Sequence, residues 1–157
     1  MTCPARSHMP RHLRLPAAGL LAAAVALPAA AQDGVVTTPF DGSFDDAAFA
    51  VETAIVGQGL VIDHVSHVGE MLARTKQAVG SDVDLFTEAD VFLFCSAVTS
   101  RAVMEADPMN IAHCPYGVFV AELPGGEVLI GHKTYPEGPM QQVQDLLSAI
   151  VAEAAAF

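Results

Sequence analysis

The sequence predicts an α+β domain: a small mixed sheet covered by helices. Three observations carry that prediction. Apolar residues alternate between helical and strand spacing along the chain. The segment Pro124-Gly125-Gly126 joins two strand-like runs as a hairpin, so the sheet is not purely parallel. No internal repeat or linker divides the chain, and 157 residues suit one ordinary domain.

A short strand is expected first, around 35–38. Ser43 is placed to cap a helix, with Asp46 three residues on as a capping box, and Phe44, Ala47, Ala48, Val51, Ala54 and Ile55 recur on one face. Gly57 and Gly59 end it. Residues 60–65 read as a strand with Leu60, Ile62 and His64 on one side. Ser66 can cap a second helix whose stripe is Val68, Met71, Leu72, Thr75 and Val79, closed by Gly80.

An acidic segment, 81–90, leads to the continuous apolar run Val91-Phe92-Leu93-Phe94-Cys95, which predicts a central strand buried on both faces. Residues 96–106 read as a helix that Asp107-Pro108 terminates. Strands over 116–123 and 127–130 form the hairpin. Gly138-Pro139 opens a last helix faced by Val143, Leu146, Leu147, Ile150 and Ala154.

Charge and the first thirty residues bound the function. Acidic residues number 18 against 7 basic, for a net charge of −11. Nucleic-acid binding needs the opposite balance, because phosphates are neutralised by Lys and Arg. Residues 1–31 have the order of a secretory signal: Arg6, Arg11 and Arg14, an apolar stretch over 15–27, then Pro28 and Ala29-Ala30-Ala31. The apolar run is shorter than the ~20 residues needed to span a bilayer, so no membrane span is expected once the signal is cleaved after Ala31. Residues 32–157 would then form the single domain, periplasmic or secreted. Its basic residues are Arg74, Lys76, Arg101 and Lys133, against all the acids. Such a surface suits a small molecule or a soluble protein partner.

Two cysteines remain in that domain, Cys95 and Cys114, and an even pair in an oxidising compartment predicts a disulfide. If their strands are antiparallel neighbours, the Cα atoms fall within the ~4.4–6.8 Å that a bridge requires. Closing that loop would stabilise by about 3 kcal/mol in the chain-entropy model. The alternatives are a pair of free thiols serving a metal or redox site, or two unrelated buried thiols; the spacing is not that of a thioredoxin-type motif.

His67 lies at a strand-to-helix junction where backbone N–H groups converge, His64 lies three residues earlier, and Tyr116 starts the next strand, which makes these three the ligand-binding candidates. Cys95, Cys114, His113, His67 and Met104 together would suit a soft metal such as copper, or haem iron, in an electron-transfer accessory. His132, beside Lys133, reads as a surface residue. The acids Asp82, Asp84, Glu88 and Asp90 lack the Gly and terminal Glu of a calcium loop. No nucleophile–base set, phosphate loop or dinucleotide fingerprint occurs, so the chain reads as a binding domain rather than an enzyme. A homodimer through an exposed sheet face is a third reading.

The string Phe92-Leu93-Phe94-Cys95-Ser96, the helix end Met104-Glu105-Ala106-Asp107-Pro108, and Cys114-Pro115-Tyr116-Gly117-Val118-Phe119-Val120-Ala121-Glu122 ahead of a hairpin resemble the family of domain of unknown function 302. Phe49-Ala50-Val51-Glu52 and Gly59-Leu60-Val61-Ile62 are similar to its opening helix and strand. The resemblance spans about 35–155. It implies a TATA-binding-protein-like arrangement of sheet and helices without a nucleic-acid role, and it supplies no catalytic residue. The cysteine pair and the export signal mark an exported, two-cysteine variant of that family.

Overall fold

The computed structural model describes residues 30–32 and 34–157. The expected signal, residues 1–31, lies outside them except for Ala30 and Ala31. The chain order is β1 (Ala30–Gln32), β2 (Val35–Phe40), α1 (Phe44–Gly57), β3 (Val61–Ser66), α2 (Val68–Thr75), β4 (Glu88–Cys95), α3 (Ala97–Ala106), β5 (Tyr116–Glu122), β6 (Val128–Lys133) and α4 (Gln141–Ala154). Short 3-10 turns come after α2 and α3.

One six-stranded sheet has the order β1-β2-β6-β5-β4-β3. The α+β class with helices over the sheet holds. The strand directions are more uniform than the mixed sheet expected, since every pairing is antiparallel. The reason is the placing of the crossover. α1 carries the chain from β2 to the far edge at β3, so these two strands never meet, and three others lie between them.

α1 begins where Ser43 caps it: the Asp46 N–H donates to Ser43 Oγ at 3.1 Å, and Asp46 reaches back to the Ser43 N–H. That satisfies two otherwise orphaned donors. Its buried face is Phe44, Ala47, Ala50, Val51, Ala54 and Ile55, and α4 buries Val143, Leu147, Ile150, Val151 and Ala154. Both helices lie on one face of the sheet, against Phe92, Phe94, Tyr116, Val118, Val120 and Ile130. This is the core.

Four local readings are corrected. A bulge between Ile62 and His64 makes Asp63 the extra residue, so His64 pairs with Leu93 while Ile62 and Val65 pack against the core. Ser66 ends β3, and His67 takes the N-cap position of α2 without a side-chain cap. The stripe read on that helix is not a core face: Met71 and Val79 are exposed, and only Gly69 is buried. A Cβ on Gly69 would stand 2.5 Å from the Ala89 backbone nitrogen, so a residue without a side chain is what lets α2 lie against β4.

The fourth concerns His132, expected on the surface and in fact wholly buried. β6 continues past Ile130 to Lys133, which carries His132 into the core beside Val118 and Val36. Asp107, an acid at a helix C-terminus, belongs to the next element as much as to α3. Its carboxylate accepts the Met109 N–H and caps the 3-10 turn after that helix.

Candidate functional site

The sheet has two unlike faces. Alternation sends Phe92, Phe94, Tyr116, Val118 and Val120 under the helices, and Val91, Leu93, Gly117 and Phe119 to the other side. Among the described residues no helix covers the middle of that second face. Val91, Leu93, Gly117 and Phe119 are half-buried, and with Pro115 and Lys133 they line an apolar groove of about 420 Å³. Val68 and Phe86 line it where α2 meets β4, and Lys133 comes from the end of β6. The run 91–95 is therefore not buried on both faces as expected. It is apolar on both, and one side is open.

At the Pro115 end stand the two cysteines. Cys95 is the last residue of β4, and Cys114 lies two residues before β5, ahead of Pro115. Antiparallel pairing of Phe94 with Tyr116 brings them together, as the sequence required for a bridge. Their Sγ atoms stand 2.7 Å apart; Cys95 is exposed and Cys114 half-buried. Burial, the hydrogen bond to Cys114 and the negative charges of Cys114 and Asp63 push the Cys95 thiol up to about 11. A backbone N–H of Tyr116 works in the other direction. A thiol held so far above neutrality is a weak nucleophile, because the thiolate is the reactive form.

Behind the thiols is an aromatic cluster. Tyr116 is fully buried and accepts a hydrogen bond from Ser100 Oγ at 3.0 Å. Its ring meets Tyr135 edge to face at 6.2 Å, and the His113 ring lies 5.7 Å from Tyr135. Lys133 Nζ stands 5.0 Å from the centre of the Tyr135 ring, a cation–π distance. The Tyr135 hydroxyl is buried without a hydrogen-bond partner among the described residues.

The sequence-chosen residues are not brought to one place. His67 sits at the opposite end of β4, 2.8 Å from the Asp90 carboxylate. Asp90 and Cys95 are five residues apart on one strand, about 17 Å at ~3.4 Å per residue. His67 therefore cannot join the thiols, and Met104 is partly buried against the core. Among the described residues no group of three or more His, Cys, Asp or Glu is placed to hold a metal ion. Cys95, Cys114 and His113 share an end of the sheet, but the five-residue copper or haem set does not assemble. Of the ligand candidates, His64 is exposed on the edge strand β3 and Tyr116 is sealed in the core.

Sequence reasoning missed Leu93, Gly117, Phe119 and Lys133. The signal was there: β4 and β5 are apolar at both parities.

A family model described as "Domain of unknown function DUF302" matches residues 36–156. No curated protein matches the chain. A crystal structure of an uncharacterized conserved DUF302 protein from Bacillus stearothermophilus is similar at a TM-score of 0.57 and 16% identity, over 78% of this chain and 93% of that one. That likeness is one of fold.

Proposed function

The chain belongs to the DUF302 family, a family defined by a domain of unknown function, and from that premise we propose that it is an exported binding domain for a small apolar ligand. The ligand lies in the groove on the open face of the sheet, and a Cys95–Cys114 disulfide fastens the end where α3 and its 3-10 turn connect β4 to β5. The groove is the observation that carries this reading. Its volume of about 420 Å³ falls in the range of small-molecule sites, and its lining is mostly apolar.

The signal-like order of residues 1–31 supports export, and the approach of the two thiols supports the bridge. Closure removes two electrons and two protons from the pair, by exchange with an oxidised disulfide in the receiving compartment. Cleavage after Ala31 would fall inside β1 and leave β2 as the sheet edge.

A neutral environment-sensitive dye, N-phenyl-1-naphthylamine, tests the groove. Its fluorescence should rise and saturate at one dye per chain, and Leu93→Asp should abolish the rise while the circular dichroism of the fold is retained. No rise, or a rise that Leu93→Asp leaves intact, would overturn the reading. Thiol counting on unreduced protein from the exported fraction tests the bridge, and two free thiols would remove it.

A further inference from the structure

We infer that the groove takes a single-chain amphiphile with an anionic head, and that Lys133 is the counter-ion of that head. The inference rests on the binding role proposed above and goes on to name the ligand's chemistry. Charge complementarity carries it. The described residues include four Lys and Arg side chains. Arg74 pairs with Glu70, Lys76 with Asp84, and Arg101 with Glu105. Lys133 alone among them has no carboxylate partner among the described residues, and it alone lines the groove, from the end of β6.

Its ammonium rests against the Tyr135 ring, an interaction with a ring face that leaves N–H donors free for an anion. In a chain this acidic, an unpaired cation on an apolar groove is a point of contrast, and beyond a Debye length of about 8 Å the surrounding carboxylates are screened.

Shape decides the other half of the ligand. The groove runs along β5 from Pro115 to Ala121, about 20 Å at ~3.4 Å per residue, between the side chains of Leu93 and Phe119. An extended acyl chain matches that length, whereas a compact ring system would leave most of it empty. Lys133 and Pro115 mark the head end, and Val68 and Phe86 meet the tail. Each methylene buried should tighten binding about fourfold.

Displacement of N-phenyl-1-naphthylamine by dodecanoate, dodecanol and dodecylammonium tests this on the full chain. Dodecanoate should displace the dye at least tenfold more tightly than either of the others, and lengthening from decanoate to dodecanoate should tighten displacement further. Lys133→Met should bring dodecanoate to the level of dodecanol, and Lys133→Arg should restore its preference. Equal displacement by dodecanoate and dodecanol, or a Lys133→Met protein that keeps the preference, would overturn the anionic head while the groove reading stands. Failure of the dye itself to bind would instead overturn the groove reading. Sedimentation that shows a dimer, with dye binding lost as protein concentration rises, would assign the groove to a second copy of this chain and overturn the amphiphile.

Discussion

Phe119 and Gly131 face each other across β5 and β6, and the ring lies over the glycine so closely that a Cβ there would stand 2.6 Å from the ring and 2.5 Å from the Val36 carbonyl oxygen. The ring fills the space a side chain would take, which fixes the floor of the groove. The backbone of β2 cannot retreat without breaking its ladder with β6. Gly131→Ala should therefore destabilise the fold by about 1–3 kcal/mol, the usual cost of overpacking. A urea midpoint unchanged from wild type would show that Phe119 moves freely, and that the floor is not fixed.

The two buried tyrosines should respond in opposite ways to loss of their hydroxyls. Tyr116 receives a hydrogen bond from Ser100, so Tyr116→Phe leaves that donor short of a partner and should cost about 1 kcal/mol. The Tyr135 hydroxyl is buried with no partner among the described residues, and burial pushes its ionisation well above the ordinary phenol value. Tyr135→Phe removes an unsatisfied polar group and should be neutral or stabilising by about 1 kcal/mol. Thermal melts of the two variants side by side check the contrast. Equal losses would mean that the Tyr135 hydroxyl is hydrogen-bonded in solution.

The long helices were legible because helical spacing and caps are local: Ser43 with Asp46 fixed one start, and Val143, Leu147 and Ile150 fixed one face. The hairpin was legible for the same reason. What was hidden is tertiary. An extra residue at Asp63 reverses the facing of His64, and no short window records a bulge. The apolar run 91–95 looks the same whether its second face is covered by protein or by a ligand. Gly131 interrupts the apolar pattern of β6, so the strand seemed to stop before the buried His132. In the candidate site, spacing brought the two cysteines together correctly through the pairing of β4 with β5, whereas His67 shares only the strand's far end.

His132 gives the fold a pH dependence with a defined sign. The Nδ1–H donates to the Lys133 carbonyl at 2.8 Å, and Nε2 then accepts from Ser148 Oγ at 3.1 Å, so the ring is held neutral. Burial lowers its pKa from 6.5, and the Lys133 carbonyl opposes this only in part. Below 6.5 the unfolded chain binds a proton that the folded chain refuses. Stability from this residue is fully present above about 6.5 and is lost as pH falls towards the lowered folded value. Denaturation at several pH values from 5 to 7.5 should show that slope in the wild type and a flatter one in His132→Gln. Equal slopes would place the dependence on other groups.

The thiol pair should leave Cys95 unreactive when reduced and act as a staple when oxidised. In reduced protein, burial together with the hydrogen bond and charge of Cys114 holds the Cys95 thiol up at about 11. Alkylation of Cys95 at pH 8 should accordingly be slow. Cys114→Ser removes the thiolate charge and the thiol hydrogen bond, so Cys95 in that variant should titrate lower and alkylate faster, even though its burial is unchanged. Oxidised protein should exceed reduced protein in unfolding free energy by about 3 kcal/mol, because the bridge closes the chain around α3 and its 3-10 turn. The Cys95→Ser and Cys114→Ser variants should each lose that difference and respond to reductant no further. A wild-type protein whose urea midpoint is the same with and without reductant would show that the pair, although adjacent, is not a stabilising bridge.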